Sequence, residues 1–294
     1  MIQVRAALRK LAFFLLRGSG LPFLFREVLQ RRKVTIIFYH DPKPELADEH
    51  FRILKSRYNV IALREYIQAH QTGTLRRLPP KPLVITLDDG SKGNYALLPV
   101  LRKHDIPVTV FLCSGVVGTR RHFWFEHDMG GYDLQLLKSM PDERRLATLR
   151  QFGFEETKEF PDRTALSKQE IEEMKGTVDF QSHTRFHPLL PRCSAEKASA
   201  EIRQSKEDLE REYGLDIYAL AFPNGDHTER EIAMASEAGY ECAVTIEAGF
   251  NAQDADLFRL KRLGLTDDAD VSELLVKTSG LWNCLRRPGS KPSY

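Results

Sequence analysis

The sequence predicts an α/β fold with a parallel sheet, and two observations point to it. Apolar segments of strand length alternate along the chain with segments of helical periodicity. One strand candidate, residues 83–87, is apolar or β-branched throughout, as strands are when both faces of a parallel sheet are covered. Repeated βα units of this kind imply parallel strands joined by right-handed crossovers.

Strand candidates follow one another from residue 34, and helical patterns fall between most of them. The predicted strands are 34–39, 58–63, 83–87, 107–112, 178–182, 217–222, 241–246 and 258–263. The predicted helices are 45–57, 63–71, 93–104, 167–175, 195–213, 228–238 and 271–279, with Ser194 as an N-cap. Seven or eight βα units predict a (β/α) barrel, and an open doubly wound sheet is the alternative.

The rhythm is interrupted at residues 115–160, which we interpret as an insertion with short helices. We therefore expect one domain over residues 34–294, preceded by an N-terminal extension over residues 1–33. The 42% hydrophobic content is ample for a core. The net charge of +2 gives no reason to expect a nucleic-acid partner.

The four cysteines are scattered without C-x-x-C spacing, which argues against a zinc finger or a disulfide framework. This usage favours a reducing compartment, so we expect a cytoplasmic protein and leave its oligomeric state open. The N-terminal extension places basic residues around the apolar run 11–16, which is too short to span a bilayer and short for a secretory signal. Two interpretations stay open: a basic amphipathic helix on a membrane surface, and a helix docked on the domain.

Two adjacent carboxylates, Asp88 and Asp89, directly follow the strand candidate 83–87. Asp-Gly after a strand is also a common hairpin turn. However, residues 91–104 continue with helical spacing, which favours a strand–loop–helix unit. Because α/β folds place their chemistry at the carboxyl ends of the strands, we expect both aspartates in a functional site.

Two histidines, His183 and His187, follow the strand candidate 178–182. Side chains four residues apart share one side of a helix and also of an extended strand. Pro188 disfavours helical geometry at His187, so a strand-end loop is the better interpretation. Imidazole suits zinc and similar ions, and one carboxylate completes a common set of three ligands. Such a pair is more often structural when it stands alone, but the two aspartates favour a metal site.

Together these motifs resemble those of the polysaccharide deacetylase (NodB-homology) family, carbohydrate esterase family 4. The family motif T-F-D-D-G is similar to residues 86–90, Thr-Leu-Asp-Asp-Gly, and H-[ST]-x-x-H is similar to residues 183–187. The resemblance covers roughly residues 34–265. It implies a distorted (β/α) barrel, a divalent metal (usually zinc, sometimes cobalt or nickel) and hydrolysis of an N-acetyl group on an amino sugar. It also implies that Asp88 is the general base and that Asp89, His183 and His187 are the metal ligands.

The third family motif, R-x-P-Y, is altered to Ala221-Phe222-Pro223-Asn224. The resemblance implies that the backbone N–H of Asn224 faces the oxyanion, whereas an ordinary tight turn is the structural alternative. The family's arginine, which steadies the base, is missing. We predict that Arg262, at the end of the last strand candidate, takes this role, and Arg259 is the weaker candidate.

The catalytic histidine that the family usually carries late in the chain has no counterpart after His227. A family subgroup carries it on an early strand that ends in Tyr-His, which is similar to Tyr39-His40. We therefore predict that His40 is the catalytic acid, with His227 as runner-up. The remaining histidines before residue 115 are expected on the surface: His50, His70 and His104. In the insertion, His122, Trp124, Glu126, His127 and Asp128 are expected to pack, with a sugar-lining role as the alternative.

These observations predict a metal-dependent hydrolase that removes N-acetyl groups from an amino sugar in a polysaccharide, a precursor or a lipid-linked glycan. Two alternatives stay open. One is hydrolysis of another non-peptide C–N bond in a small molecule. The other is a catalytically inactive family member that binds glycan.

Overall fold

The computed structural model describes residues 2–285, so residues 286–294 of the predicted domain lie outside it. The strands are β1 Thr35–Tyr39, β2 Asn59–Val60, β3 Pro82–Leu87, β4 Val108–Leu112, β5 Val178–Ser182, β6 Ala219–Ala221, β7 Cys242–Val244 and β8 Leu263–Gly264. The helices are α1 Ile2–Gly18, α2 Leu21–Leu24, α3 Pro44–Lys55, α4 Leu63–Gln71, α5 Leu98–His104, α6 Leu134–Ser139, α7 Asp142–Gln151, α8 Lys168–Met174, α9 Ala195–Tyr213, α10 Glu229–Glu237, α11 Val271–Thr278 and α12 Leu281–Leu285.

The strands form a parallel sheet in the order β7-β6-β5-β4-β3-β1-β8, with β2 also paired to β3. The last strand in the chain, β8, pairs with β1 through Leu263 and Ile37 and forms one end of the sheet. The segment before β8 brings this end close to β7 at the other end of the sheet. An isolated parallel bridge between Val244 and Leu260 joins β7 to the segment before β8. A doubly wound sheet reverses its strand order instead. The distorted (β/α) barrel is therefore confirmed.

Two of the predicted strands differ most from the observed ones, and those predicted at 217–222 and 241–246 are shortened at both ends to β6 and β7. The prediction at 258–263 is wrong except at its last residue, since Leu257–Arg259 forms a 3₁₀ turn and β8 begins only at Leu263. The Asp256 side chain accepts a hydrogen bond from the N–H of Phe258 and starts this turn. The strand predicted at 58–63 is shortened to Asn59–Val60, because α4 begins at Leu63.

Both faces of β1 and β3 are buried. Successive side chains along these strands belong alternately to two apolar clusters. Ile37 and Ile85 belong to the larger cluster, which includes residues of the surrounding helices. Ile36 and Val84 belong to a second cluster, to which α4 contributes Tyr66 and other apolar side chains. The second cluster fills the barrel interior, so the room for a site lies at the carboxyl ends of the strands.

The predicted insertion contains the short helices α6 and α7 and a small apolar core of its own. Trp124, Leu137 and Leu149 are buried in this core. At the other end of the chain, Phe13 of α1 packs with Val276 of α11 and Leu281. One face of the N-terminal helix is therefore docked on the domain, in agreement with the second of the two interpretations of this extension. The domain division at residue 33 stays a prediction.

The N-terminus of helix α9 is capped by the side chain of Ser194, as the sequence predicted. The Ser194 side chain accepts a hydrogen bond from the N–H of Lys197 at 3.2 Å. Because Ser194→Ala removes this acceptor, we expect it to lower the free energy of unfolding by about 1 kcal/mol. Ser199→Ala lies inside the same helix and should cause no loss, since alanine is the better helix former. Urea denaturation of both variants measures the difference, and equal stabilities would contradict the cap.

Candidate metal and catalytic site

The two aspartates lie on a sharp turn at the carboxyl end of β3. The N–H of Asp88 donates to Tyr39 O at 3.0 Å and so continues the sheet. Asp89 and Gly90 then both adopt positive φ, 73° and 75°. A Cβ at position 90 would lie 2.6 Å from Cδ2 of Leu112, so only glycine fits there. This turn directs the two carboxylates to different partners.

The histidine loop after β5 is held by hydrogen bonds from outside it. Oε2 of Glu201, on α9, accepts from the N–H groups of both Arg185 and Phe186 at 2.9 Å. Nε1 of Trp124 donates to His187 O at 2.8 Å. Burial raises the pKa of Glu201 to about 7. No local sequence pattern predicts these contacts, because they join different elements that only the folded chain brings together.

Asp89, His183 and His187 converge on one point. The Nε2 atoms of the two histidines each lie 3.5 Å from Oδ1 of Asp89. Nδ1 of His183 lies 2.7 Å from Ala221 O, so it carries the proton and leaves Nε2 as the basic nitrogen. Asp89 Oδ1 is buried without a hydrogen-bond partner. Two imidazole nitrogens facing an unsatisfied carboxylate oxygen fit a divalent cation of the zinc type.

The pKa directions at this cluster suit the binding of a cation. Burial raises the pKa of Asp89, although His40 and His183 oppose the shift. Burial and the neighbouring His183 hold the pKa of His187 well below its usual value, which keeps the ring neutral. A neutral imidazole is the form that binds metal.

Arg262 lies in direct contact with Asp88, as the sequence predicted. Its guanidinium donates from Nη1 to Oδ1 at 2.7 Å and from Nη2 to Oδ2 at 2.8 Å. The arginine is fully buried, donates from Nε to Thr245 O and lies over the Phe38 ring. Burial alone would raise the pKa of Asp88, but the charge and hydrogen bonds of Arg262 bring it below its ordinary value. Arg259 instead pairs with Glu229 and Asp256.

His40 lies at the carboxyl end of β1, where it lines the same cavity as Asp88 and Asp89. Its backbone N–H donates to Oδ1 of Asp267 at 3.1 Å, and Asn94 donates to its carbonyl. The side chain of the next residue, Asp41, accepts a hydrogen bond from Asn94 at 3.2 Å. The role of Asp267 was missed, because no sequence pattern joined it to His40.

Asn224 lies in the turn Pro223–Gly225 after β6, with a positive φ of 55°. Its side chain donates to Asp226 and accepts from Nζ of Lys138 at 3.2 Å. The segment is a tight turn, as the structural alternative predicted, and it also borders the cavity. The direction of the Asn224 N–H toward an oxyanion stays a prediction.

The cavity has a volume of about 730 Å³, within the range of small-ligand sites. The insertion supplies one wall, and its contributors are Phe125, Leu134, Gln135, Lys138 and Ser139. None of them had been singled out in the sequence. Trp124 packs in the insertion core, as expected. Burial and the charge of Asp89 raise the pKa of Glu126 to about 7.

The other histidines lie outside the cavity, and His70 and His104, which were expected on the surface, are half-buried. The surface prediction for His50 is wrong: it is fully buried, with Nδ1 3.0 Å from the Tyr39 hydroxyl and Nε2 2.9 Å from Ala269 O. Its position in a helix gave no sign of these two partners. His227 stacks on Phe222 and contacts Gly225 O, and it does not line the cavity.

Residues 76–243, more than half of the chain, match the family described as polysaccharide deacetylase. The chain belongs to this family. It is 25% identical over 228 residues to a poly-beta-1,6-N-acetyl-D-glucosamine N-deacetylase of Staphylococcus epidermidis. It covers 64% of that relative, and it covers 51% of YxkH of Bacillus subtilis, to which it is 22% identical. The chain thus spans less than two thirds of the length of these relatives.

Solved structures share the deacetylase fold. The Streptococcus pyogenes deacetylase PplD, solved in complex with acetate, has a TM-score of 0.62 at 21% identity, over 84% of this chain and 98% of that one. IcaB from Ammonifex degensii has a TM-score of 0.60 at 19% identity, over 84% and 97% of the two chains. These likenesses extend the barrel assignment beyond the segment that matches the family.

Replacing the proposed metal ligand Asp89 by asparagine should have two opposite effects, one on cation binding and one on the stability of the metal-free protein. This variant should lose a zinc-type cation, because the carboxylate ligand is gone. The metal-free variant should nevertheless be more stable than metal-free wild type at neutral pH, because a buried unsatisfied carboxylate has been removed. The pKa of Asp89 is raised by folding, so its ionisation destabilises the fold as pH rises, and the stability difference should shrink toward acid pH.

Metal content after zinc loading and thermal unfolding of the metal-free proteins measure the two effects. Asp88→Asn is the matched control for metal content only, because it changes the neighbouring carboxyl and should keep the metal, whereas its own stability should fall as the buried pair with Arg262 is broken. Wild-type metal content in Asp89→Asn would contradict the ligand set.

Proposed function

We propose that this protein is a metal-dependent N-deacetylase that acts on an N-acetylated amino sugar within a glycan. The observation that carries the proposal is the paired arrangement at the end of β3. Asp89 faces two histidine Nε2 atoms, and the adjacent Asp88 is held by Arg262. The name of the Staphylococcus relative supports a β-1,6-linked N-acetylglucosamine polymer as the substrate. The N-acetyl group that would be removed is the same in a polysaccharide, in its precursor and in a lipid-linked glycan.

Asp89, His183 and His187 would hold the cation, which supplies polarisation of the acetyl carbonyl and a lowered pKa of water when bound. Asp88 takes a proton from the attacking water. It is suited to this role because Arg262 keeps it ionised. The Asn224 turn would offer a backbone N–H to the carbonyl oxygen, a contribution of about 10²- to 10³-fold in similar sites. As the C–N bond breaks, His40 gives a proton to the leaving amine, and acetate remains.

The direct test is acetate release from β-1,6-linked N-acetylglucosamine oligomers by the zinc-loaded protein. We expect release by wild type and a loss of about 10²-fold or more in Asp88→Asn, since a positioned base contributes about that much. Binding of the oligomers without acetate release would favour the inactive glycan-binding alternative. Inactivity on oligomers with hydrolysis of small amides would favour the other C–N hydrolase.

Arg262→Met should shift the acid limb of the pH–rate profile to higher pH. Asp88 accepts a proton only when it is ionised, and without the guanidinium its burial raises its pKa. Breaking the buried pair should also destabilise the fold by roughly 3–5 kcal/mol, so metal content serves as a check on folding. Arg259→Met, whose partners lie outside the cavity, should leave the profile unchanged. An unmoved acid limb in folded Arg262→Met would refute this role.

His40→Ala should discriminate between substrates by leaving group. Amide hydrolysis needs a protonated leaving amine, so with an N-acetyl sugar the rate should fall about 10²-fold or more. An acetate ester of an acidic phenol needs little protonation and should lose far less. His227→Ala, outside the cavity, should behave like wild type with both substrates. Equal losses on the two substrates would assign His40 a structural role.

A further inference from the structure

The segment from Leu8 to Leu29 exposes an unusual amount of apolar surface. Nine of the twelve large hydrophobic side chains that are exposed among the described residues lie within it. Their exposed fractions run from 40% to 63%. We call these residues the N-terminal surface: Leu8, Leu11, Phe14, Leu15, Leu21, Phe23, Leu24, Val28 and Leu29. A concentration of this kind marks an interaction surface.

Helix α1 has two apolar sides, of which the protein covers one. Phe13 is buried against Val276 and Leu281, and its ring lies 4.7 Å from that of Trp282. At 3.6 residues per turn, Leu11 and Leu15 lie about 160° around the helix from Phe13. Both are more than half exposed. A helix that only docks on a domain carries polar residues on its outer side, so this outer side has another use.

The N-terminal surface is also strongly basic. Residues 1–33 contain eight basic residues and one acidic residue, a formal charge of +7, whereas the whole chain carries +2. Lys10, Arg17 and the run from Arg31 to Lys33 are exposed. Partial burial and the neighbouring charges of Arg26 and Arg17 lower the pKa of Arg57, so positive groups crowd together here. Apolar side chains with basic flanks are complementary to an anionic lipid surface.

We propose that the N-terminal surface docks this protein onto the surface of an anionic lipid bilayer. The contact is interfacial, since no described helix is long and apolar enough to cross a membrane. A second copy of this chain is a poorer occupant, because it would bring the same positive charge to the contact. An anionic bilayer satisfies both the apolar side chains and the charge.

Docking of this kind would hold the catalytic cavity near the lipid surface. Arg9 of α1 donates to Glu273 and to Oγ1 of Thr266. Thr266 precedes Asp267, which accepts a hydrogen bond from the His40 N–H at the cavity. The side chain of Arg9 therefore contacts the loop whose Asp267 supports His40. If the proposed function holds, a glycan attached to or emerging from a membrane is the substrate that this arrangement favours.

Co-sedimentation of the full chain with vesicles tests the docking without any measurement of activity. We expect binding to phosphatidylcholine vesicles that contain phosphatidylglycerol, and much weaker binding to phosphatidylcholine alone. Leu11→Gln with Leu15→Gln should weaken binding about tenfold or more, because the apolar area that enters the bilayer falls. Leu136→Gln with Phe152→Gln removes exposed apolar groups of the insertion and is the matched control, with no expected change.

A charge variant separates the two contributions. Lys10→Glu with Arg17→Glu should abolish the preference for anionic vesicles, and bound wild type should be released by salt. All variants should bind zinc like wild type, which shows that they fold. Absence of vesicle binding, or equal binding by the leucine variant, would overturn the proposal. Light scattering that shows a wild-type dimer, lost in the leucine variant, without vesicle binding would assign the surface to a second copy.

Discussion

The buried ion pair between Arg262 and Asp88 is the constraint on which the site depends. Removing two charges from water is expensive, and the pair is tolerated because it is bidentate and Nε and Nη1 also donate to Thr245 O and Thr86 Oγ1. The arginine comes from the segment that links β7 to β8, and the aspartate from the end of β3. The contact that keeps the proposed base ionised therefore also joins the segment before β8 to the end of β3.

The pKa of the neighbouring carboxyl, Asp89, is shifted in the opposite direction from that of Asp88. Asp89 is equally buried, yet its pKa is raised and its Oδ1 lacks a partner. One turn thus carries a carboxylate that the protein satisfies by itself and another that a cation would satisfy. The strand geometry ends at this point, where Asp89 adopts a positive φ, and the two adjacent carboxylates contact different neighbours. A pair of carboxylates with such different surroundings can serve two roles in one reaction.

Much of this could be predicted from the sequence, because the relevant signals are local. The apolar run of β3 indicated a buried strand, and the polar residues after β1, β3 and β5 indicated one edge of a parallel sheet. Ser194 and α9 followed from capping and periodicity, and α9 begins and ends where predicted. Arg262 was identified because the third motif lacked its arginine, although β8 itself was placed too early. The contacts of Glu201, Asp267 and Lys138 could not be predicted, since each joins segments that only the folded chain brings together.

The ionisation of Asp88 is the most direct test of this account. Carbon-13 NMR of labelled aspartate side chains can follow its carboxyl group, with Asp88→Asn giving the assignment. An unperturbed aspartate is about half protonated near pH 4. The account predicts that Asp88 is still ionised at that pH in wild type and that its pKa rises in Arg262→Met. A carboxyl that takes up its proton at or above pH 4 in wild type would contradict it.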